Sequence, residues 1–235
     1  MNRRRFGSFS ATLLVTSSLG LGSTANALSV NELSNDQASQ GLKLALEKGA
    51  IAAVQQLGQP NGFLGNDKVR IPLPKYLESP AKLLRSFGQG ARLEELIVAM
   101  NHAAETSVPL ARDMLMSAVK SMNVQDAKKI LTGGDTSVTG FFAEKTRQPL
   151  SRKFLPVVTK VTAQVNLADQ YNLIAGKAAG MGLLRGDQVS IEQYVTARTL
   201  DGLYFMIGEE ERKIRQDPVG TGSVLLQKVF GALRP

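Results

Sequence analysis

Apolar residues recur along most of the chain at intervals of three and four, the spacing that lines one face of an α-helix. Leu42, Leu46, Ala53, Val54 and Leu57 form the first such face, with Ser34 or Asn35 placed to cap it and Gly58 and Pro60 placed to end it. Ser79-Pro80 starts a short second helix that reaches Phe87 and stops at Gly88 and Gly90. Leu93, Leu96, Ile97, Met100, Ala103 and Ala104 make an unbroken stripe, which predicts a helix over 91–106. Ser107 and Pro109 restart the chain as another helix, and a link this short predicts a hairpin of the two. Asn123 caps a short helix ended by Gly133-Gly134-Asp135, and another short helix from Thr136 carries Val138, Phe141 and Phe142. Pro149 opens the next, with Leu150, Phe154, Val157, Val158, Val161 and Val165 on one face and a kink expected at Pro156. A helix over 167–179, a long one from Ser190 to Gln216 stopped by Asp217-Pro218, and a last short one over 222–230 complete the reading. Strands never alternate with helices, so the fold class is all-α, a single globular domain of many helices.

Residues 62–74 break this pattern. Pro72 and Pro74 lack an N–H and push Ile71 and Leu73 toward extended backbone, so no helix can pass through them. Phe63, Leu64, Val69, Ile71 and Leu73 are too apolar for a solvated loop, which predicts an extended apolar strap packed across the helices. Arg70 is the odd residue in it. It reads either as a structural ion pair or helix-end cap, or as a clamp for an anionic ligand at the mouth of a groove.

Composition adds a compartment. Arg3-Arg4-Arg5, a modest apolar run over 11–21 and Ala25-Asn26-Ala27 have the form of a signal peptide over 1–27, leaving 28–235 as the domain. The expectation is export to the periplasm or beyond, by the general secretory route in preference to the twin-arginine one. Removing the signal takes away three arginines and no acid, lowering the formal charge from +8 to +5. The remaining charges interleave, which argues against a nucleic-acid partner. The 235 residues include no cysteine, so there is no disulfide, thiol nucleophile or lipid-anchoring cysteine. No segment after the signal approaches the roughly 18 apolar residues that a membrane span needs.

Candidate chemistry is thin. His102 is the only histidine, with Glu105 one turn later, and a lone histidine builds neither the usual zinc site nor a catalytic constellation. It reads as structural, and no metal or cofactor is predicted. Gly220-Thr221-Gly222-Ser223 lacks the lysine of a phosphate loop and reads as a turn plus a helix cap. Glu209, Glu210 and Glu211 precede Arg212, Lys213 and Arg215, a spacing that pairs Glu209 with Lys213 and Glu211 with Arg215 and leaves Glu210 nearest the apolar stripe. Residues 145–168 carry Lys145, Arg147, Arg152, Lys153 and Lys160 and no acid. Beside the valine-rich stripe this is a basic amphipathic helix, suited to anionic headgroups or an acidic partner unless neighbouring helices neutralise it.

Gly62-Phe63-Leu64-Gly65-Asn66, Val69-Arg70-Ile71-Pro72-Leu73-Pro74, Asp126-Ala127-Lys128, Leu131-Thr132-Gly133-Gly134-Asp135, Lys153-Phe154-Leu155-Pro156 and Asp217-Pro218-Val219-Gly220-Thr221-Gly222 together resemble the bacterial domain-of-unknown-function family 4197. The resemblance spans essentially the whole chain after residue 27. It implies an exported, mostly helical envelope protein with no established activity, and so supplies no catalytic residue. His102 stands where the resemblance leads one to expect arginine.

The leading reading is a non-enzymatic binding module for an apolar or anionic amphiphilic envelope molecule or a protein partner. Arg70, Arg152, Lys153 and Lys160 would hold the anionic head, and Phe63, Leu64, Phe141, Phe142 and Phe154 the apolar part. Two other readings stay open. One is a periplasmic hydrolase using two of Glu105, Asp126, Asp135 and Glu210, which requires the pair to share one cleft. The other is a structural scaffold of unknown oligomeric state.

Overall fold

The computed structural model describes residues 35–88, 90–134, 136–164 and 190–217, together with residues 168, 169, 171, 172, 220, 224 and 227. The expected signal peptide, the helix over 167–179 and the last helix over 222–230 lie outside this set or almost wholly outside it. Seven α-helices carry the described residues: α1 (Asn35–Leu57), α2 (Glu78–Ser86), α3 (Gly90–Ser107), α4 (Arg112–Lys120), α5 (Val124–Thr132), α6 (Ser137–Thr162) and α7 (Ile191–Gln216). Short 3-10 turns at Lys75–Leu77 and Val108–Ala111 lead into α2 and α4. No strand occurs among the described residues, and the all-α single domain stands.

α7 is the centre. Its stripe from Ile191 through Val195, Leu200, Leu203 and Ile207 is wholly buried, and it packs against α6, α1 and α3. The predicted apolar faces of α1 and α3 turn inward onto it, with Leu42, Leu46, Leu57, Leu93, Leu96 and Met100 fully out of contact with solvent. Local signals set the ends. Asn123 and Asp126 form a reciprocal capping box at the start of α5, and the Ser190 hydroxyl accepts from the Gln193 N–H at the start of α7.

Two expectations are corrected. The short helix from Thr136 and the one opened by Pro149 are a single 26-residue helix, α6, with Pro149 and Pro156 inside it. The prolines are seven residues apart, so they share a face, and the carbonyls they leave without an N–H belong to the exposed residues Lys145 and Arg152, where solvent is at hand to satisfy them. Residues 107–111 also fail to reverse the chain: Ser107 and Ala111 keep helical backbone, and α4 packs on α1 and α6 in place of folding back along α3.

Only the end of the strap is extended. Residues 58–69 form a run of hydrogen-bonded turns, with Gly62 N–H on Gln59 O, Gly65 N–H on Asn61 O, and both Val69 and Arg70 N–H on Asn66 O. Residues 70–74 follow with neither turn nor helix, ending at Pro74 in an extended conformation with φ −56° and ψ 144°. The physical reason is reach: the prolines constrain only the residues just before them, whereas the glycines and Asn61, at φ 64°, admit turns upstream. The turns seat on α7 at Gly202, where a Cβ would stand 2.8 Å from the Phe63 ring and 3.3 Å from Val69.

Candidate functional site

Backbone donors in an apolar strap need partners, and α3 supplies them from one face. Asn101 and Glu105 are one turn apart and both buried, at 0% and 4% exposure. The Asn101 carboxamide accepts from Ile71 N–H at 2.9 Å and donates to Ile71 O at 3.0 Å and to Ile97 O at 2.8 Å. Glu105 Oε1 accepts from Phe63 N–H at 3.0 Å and Leu64 N–H at 3.1 Å, while its Oε2 lies 2.9 Å from His102 Nδ1. From α7, the Tyr194 hydroxyl donates to Pro72 O at 3.1 Å. Burial pushes the Tyr194 phenol up, with the Arg198 guanidinium over its ring opposing that rise. Asn101 and Glu105 therefore hold the strap, and His102 touches it only through Glu105.

Fixed in this way, the strap turns Val69 and Ile71 inward, at 7% and 1% exposure, and Arg70 outward between them. Arg70 has no hydrogen bond or ion pair among the described residues. It lines a depression of about 360 Å³ with Lys82 and Arg85 of α2, over a floor of Pro72, Leu73, Ala81 and Ile97. Glu78 is the acid on the rim, and Arg85 stands 3.9 Å from Glu94 of α3. Three cations against one lining carboxylate, above apolar side chains, can hold an anionic group with an alkyl portion beneath it.

The remaining predicted residues do not join this depression. Phe63, Phe142 and Phe154 are fully buried and Phe141 nearly so, all in the common core, and Leu64 is half-buried against it. The apolar wall next to Arg70 is accordingly Leu73, Ala81 and Ile97. On α6, Lys145 pairs with Glu144 at 3.2 Å, and Arg147 pairs with Asp201 at 2.8 Å and covers the Tyr204 ring. Lys153 donates to Leu110 O at 2.9 Å. Arg152 and Lys160 are exposed and without partners among the described residues. The apolar side of α6, with Leu150, Phe154 and Val158, faces the core and is closed to any surface.

Four carboxylates were candidates for hydrolysis, and each of the three described ones is engaged in a different part of the fold. Glu105 is committed to the strap, Asp126 to the α5 cap, and Glu210 to Lys213 at 2.6 Å; Asp135 lies outside the described residues. Of the two pairs expected at the C-terminal end of α7, Glu211 with Arg215 forms and Glu209 with Lys213 does not. Glu209 takes Lys68 of the strap at 2.8 Å and Arg212, leaving Lys213 to Glu210, and the buried acid is Glu211, which pairs with Arg215. The Lys68 hydrogen bond, and after it the charges of Lys68 and Arg212, hold the Glu209 carboxyl below the usual carboxylate range despite a partial desolvation. Burial raises the Tyr171 and Tyr204 phenols, with Tyr204 bonded to Thr146 at 2.9 Å. No group of three or more histidine or carboxylate side chains suited to a metal occurs among the described residues, and no described helix is long and apolar enough to cross a membrane.

Sequence reasoning isolated Arg70 and missed its neighbours. Lys82 and Arg85 sit one turn apart on α2, a spacing that marks a cationic helix face, but only the folding of α2 over the strap brings that face to Arg70. Asn101 was missed because it adjoins Met100 in a stripe whose apolar members alone were counted. A polar residue at a buried register, beside a strap rich in unpaired N–H groups, was the available signal.

By fold and site the chain is an all-helical domain built around a pinned strap. Residues 32–231 match the family described as "Protein of unknown function (DUF4197)", and the chain belongs to that family. No curated protein and no solved structure matches it.

Proposed function

We propose that the protein is a non-catalytic binding module of the bacterial envelope, exported by its N-terminal signal, that holds the anionic head of an amphiphile at Arg70. One observation carries this reading: Arg70 is an exposed, unpartnered cation between two buried residues of a strap that two buried side chains of α3 hold in place. Preorganisation of this kind lowers the ordering cost that binding would otherwise meet. Lys82 and Arg85 add charge, and Leu73, Ala81 and Ile97 take the first carbons of the chain.

The test is native mass spectrometry with lipid extraction on protein taken from the envelope of its own host, followed by titration of a short-chain phosphatidylglycerol below its micelle concentration. A co-purifying anionic amphiphile, and roughly tenfold weaker titration for Arg70→Ala with unchanged thermal unfolding, support the reading. Equal binding by wild type and Arg70→Ala overturns it.

A further inference from the structure

The other side of the strap holds a second site of different chemistry. The turns over 59–68 and the C-terminal half of α7 border an open cleft of about 580 Å³, within the range of ligand sites. Its lining includes four carboxamides, Gln56 from the end of α1 and Gln59, Asn61 and Asn66 from the turns, beside the charged Asp67, Lys68, Glu209 and Lys213. The side chains of Gln56, Gln59 and Asn61 have no hydrogen bond among the described residues. Asn66 uses its Oδ1 on the Lys68 N–H, which leaves its amide hydrogens free. The cations of the cleft are engaged, Lys68 by Glu209 and Lys213 by Glu210, whereas Asp67 has no partner among the described residues.

Such a lining selects by elimination. An anion meets Asp67 and Glu209, and both lysines of the cleft already hold a carboxylate. A metal ion finds two carboxylates, one of them already holding Lys68. An apolar ligand would strand four carboxamides without water. A ligand bearing vicinal hydroxyls suits the lining, since each carboxamide offers a donor and an acceptor side by side, and the free Asp67 carboxylate accepts from two hydroxyls. Pro60 from the turns and Met206 from α7 offer apolar contact to the C–H face of a sugar ring.

The fold spends unusual means on keeping these turns fixed. Glu105, buried on α3, accepts from both Phe63 and Leu64 in the middle of the turns, and Asn61 holds φ 64°, a region few residues other than glycine adopt. We infer that this cleft binds a neutral glycan, independently of the anion held at Arg70.

The experiment is a two-dimensional 1H–15N NMR titration of the full chain with chitotetraose, cellotetraose and maltotetraose, and with a neutral tetrapeptide as the competing class. The expected result is that at least one sugar shifts the amide signals of Asn61, Gly62 and Asn66 at millimolar concentration and leaves those of residues 70–74 in place. Asn61→Gly suits the test because glycine accepts the same positive φ while deleting the carboxamide, so the turn survives. Asn61→Gly and Gln59→Ala should each weaken the titration about fivefold to tenfold, and Arg70→Ala should leave it unchanged. No shift with any of the three sugars, a response only to the peptide, or titrations indifferent to both cleft variants would overturn the inference.

Discussion

Arg70 and Lys153 are both cations set in apolar stretches, yet the fold leaves one free and consumes the other. α6 runs between α3 and α7, and part of its charge is consumed there: Lys153 finds the Leu110 carbonyl and Arg147 finds Asp201, while Lys145 pairs with Glu144 of its own helix and Arg152 and Lys160 stay exposed. The strap lies at the edge and is held through its backbone, so its outward side chains are not needed to hold it. A one-signed run of charge in sequence therefore says little until the packing around it is known. A lone cation in a strap pinned by its own N–H and C=O groups says more.

The comparison fails if the strap is held by its apolar side chains alone, and the largest predicted effects test that. Asn101→Ala strands the Ile71 N–H and C=O, and Glu105→Ala strands the N–H groups of Phe63 and Leu64. Each should cost roughly 2–4 kcal/mol in urea unfolding, because buried backbone groups lose their only partner while burial of the apolar residues is unchanged. Amide hydrogen exchange at residues 62–71 should rise in both variants more than at α7. A loss under about 0.5 kcal/mol, the level of an ordinary surface substitution, would assign the strap's hold to Phe63, Val69 and Ile71 instead.

A smaller effect sharpens the contrast between the two cations. Lys153→Ala removes a charge-assisted bond to a carbonyl at the link before α4 and should cost about 1 kcal/mol in the same measurement. Arg152→Ala, one residue away and without a partner among the described residues, should stay within about 0.5 kcal/mol. Equal losses from the two variants would mean that the Lys153 bond contributes nothing and that Lys153 is as free as Arg70.

Much of this architecture was legible in the sequence, because helix periods and caps are local. The stripes of α1, α3 and α7, the Asn123 cap and the stop at Asp217 need only neighbours a turn or two away. Pro149 was misread for a reason of the same kind: proline suits a first turn, and the sequence alone does not say that the carbonyl it frees faces water. Arg70 stood out as a local anomaly. Its partners Lys82 and Arg85 depend on α2 crossing the strap, the cleft depends on the turns meeting α7, and the pairing of Lys68 with Glu209 joins residues 141 positions apart. None of these has a local signature.

That last pair gives the smallest prediction, and it tests whether the turns as well as the extended end are tied down. Glu209 titrates below the usual carboxylate value near 4.5, chiefly through its hydrogen bond to Lys68. A depressed carboxylate binds its proton less readily in the folded protein than in the unfolded chain, so it stabilises the fold at neutral pH. The contribution begins to be lost as pH falls past 4.5 and is gone below the lowered folded value. Lys68→Ala should thus unfold more easily than wild type at neutral pH, and the gap between the two should close as the solution is acidified through this window. Because Lys68 is largely exposed, added salt should narrow the gap as well. A gap that is constant from neutral to strongly acidic pH would show that Lys68 acts through packing of its alkyl chain and that the turns are tied to α7 by contact alone.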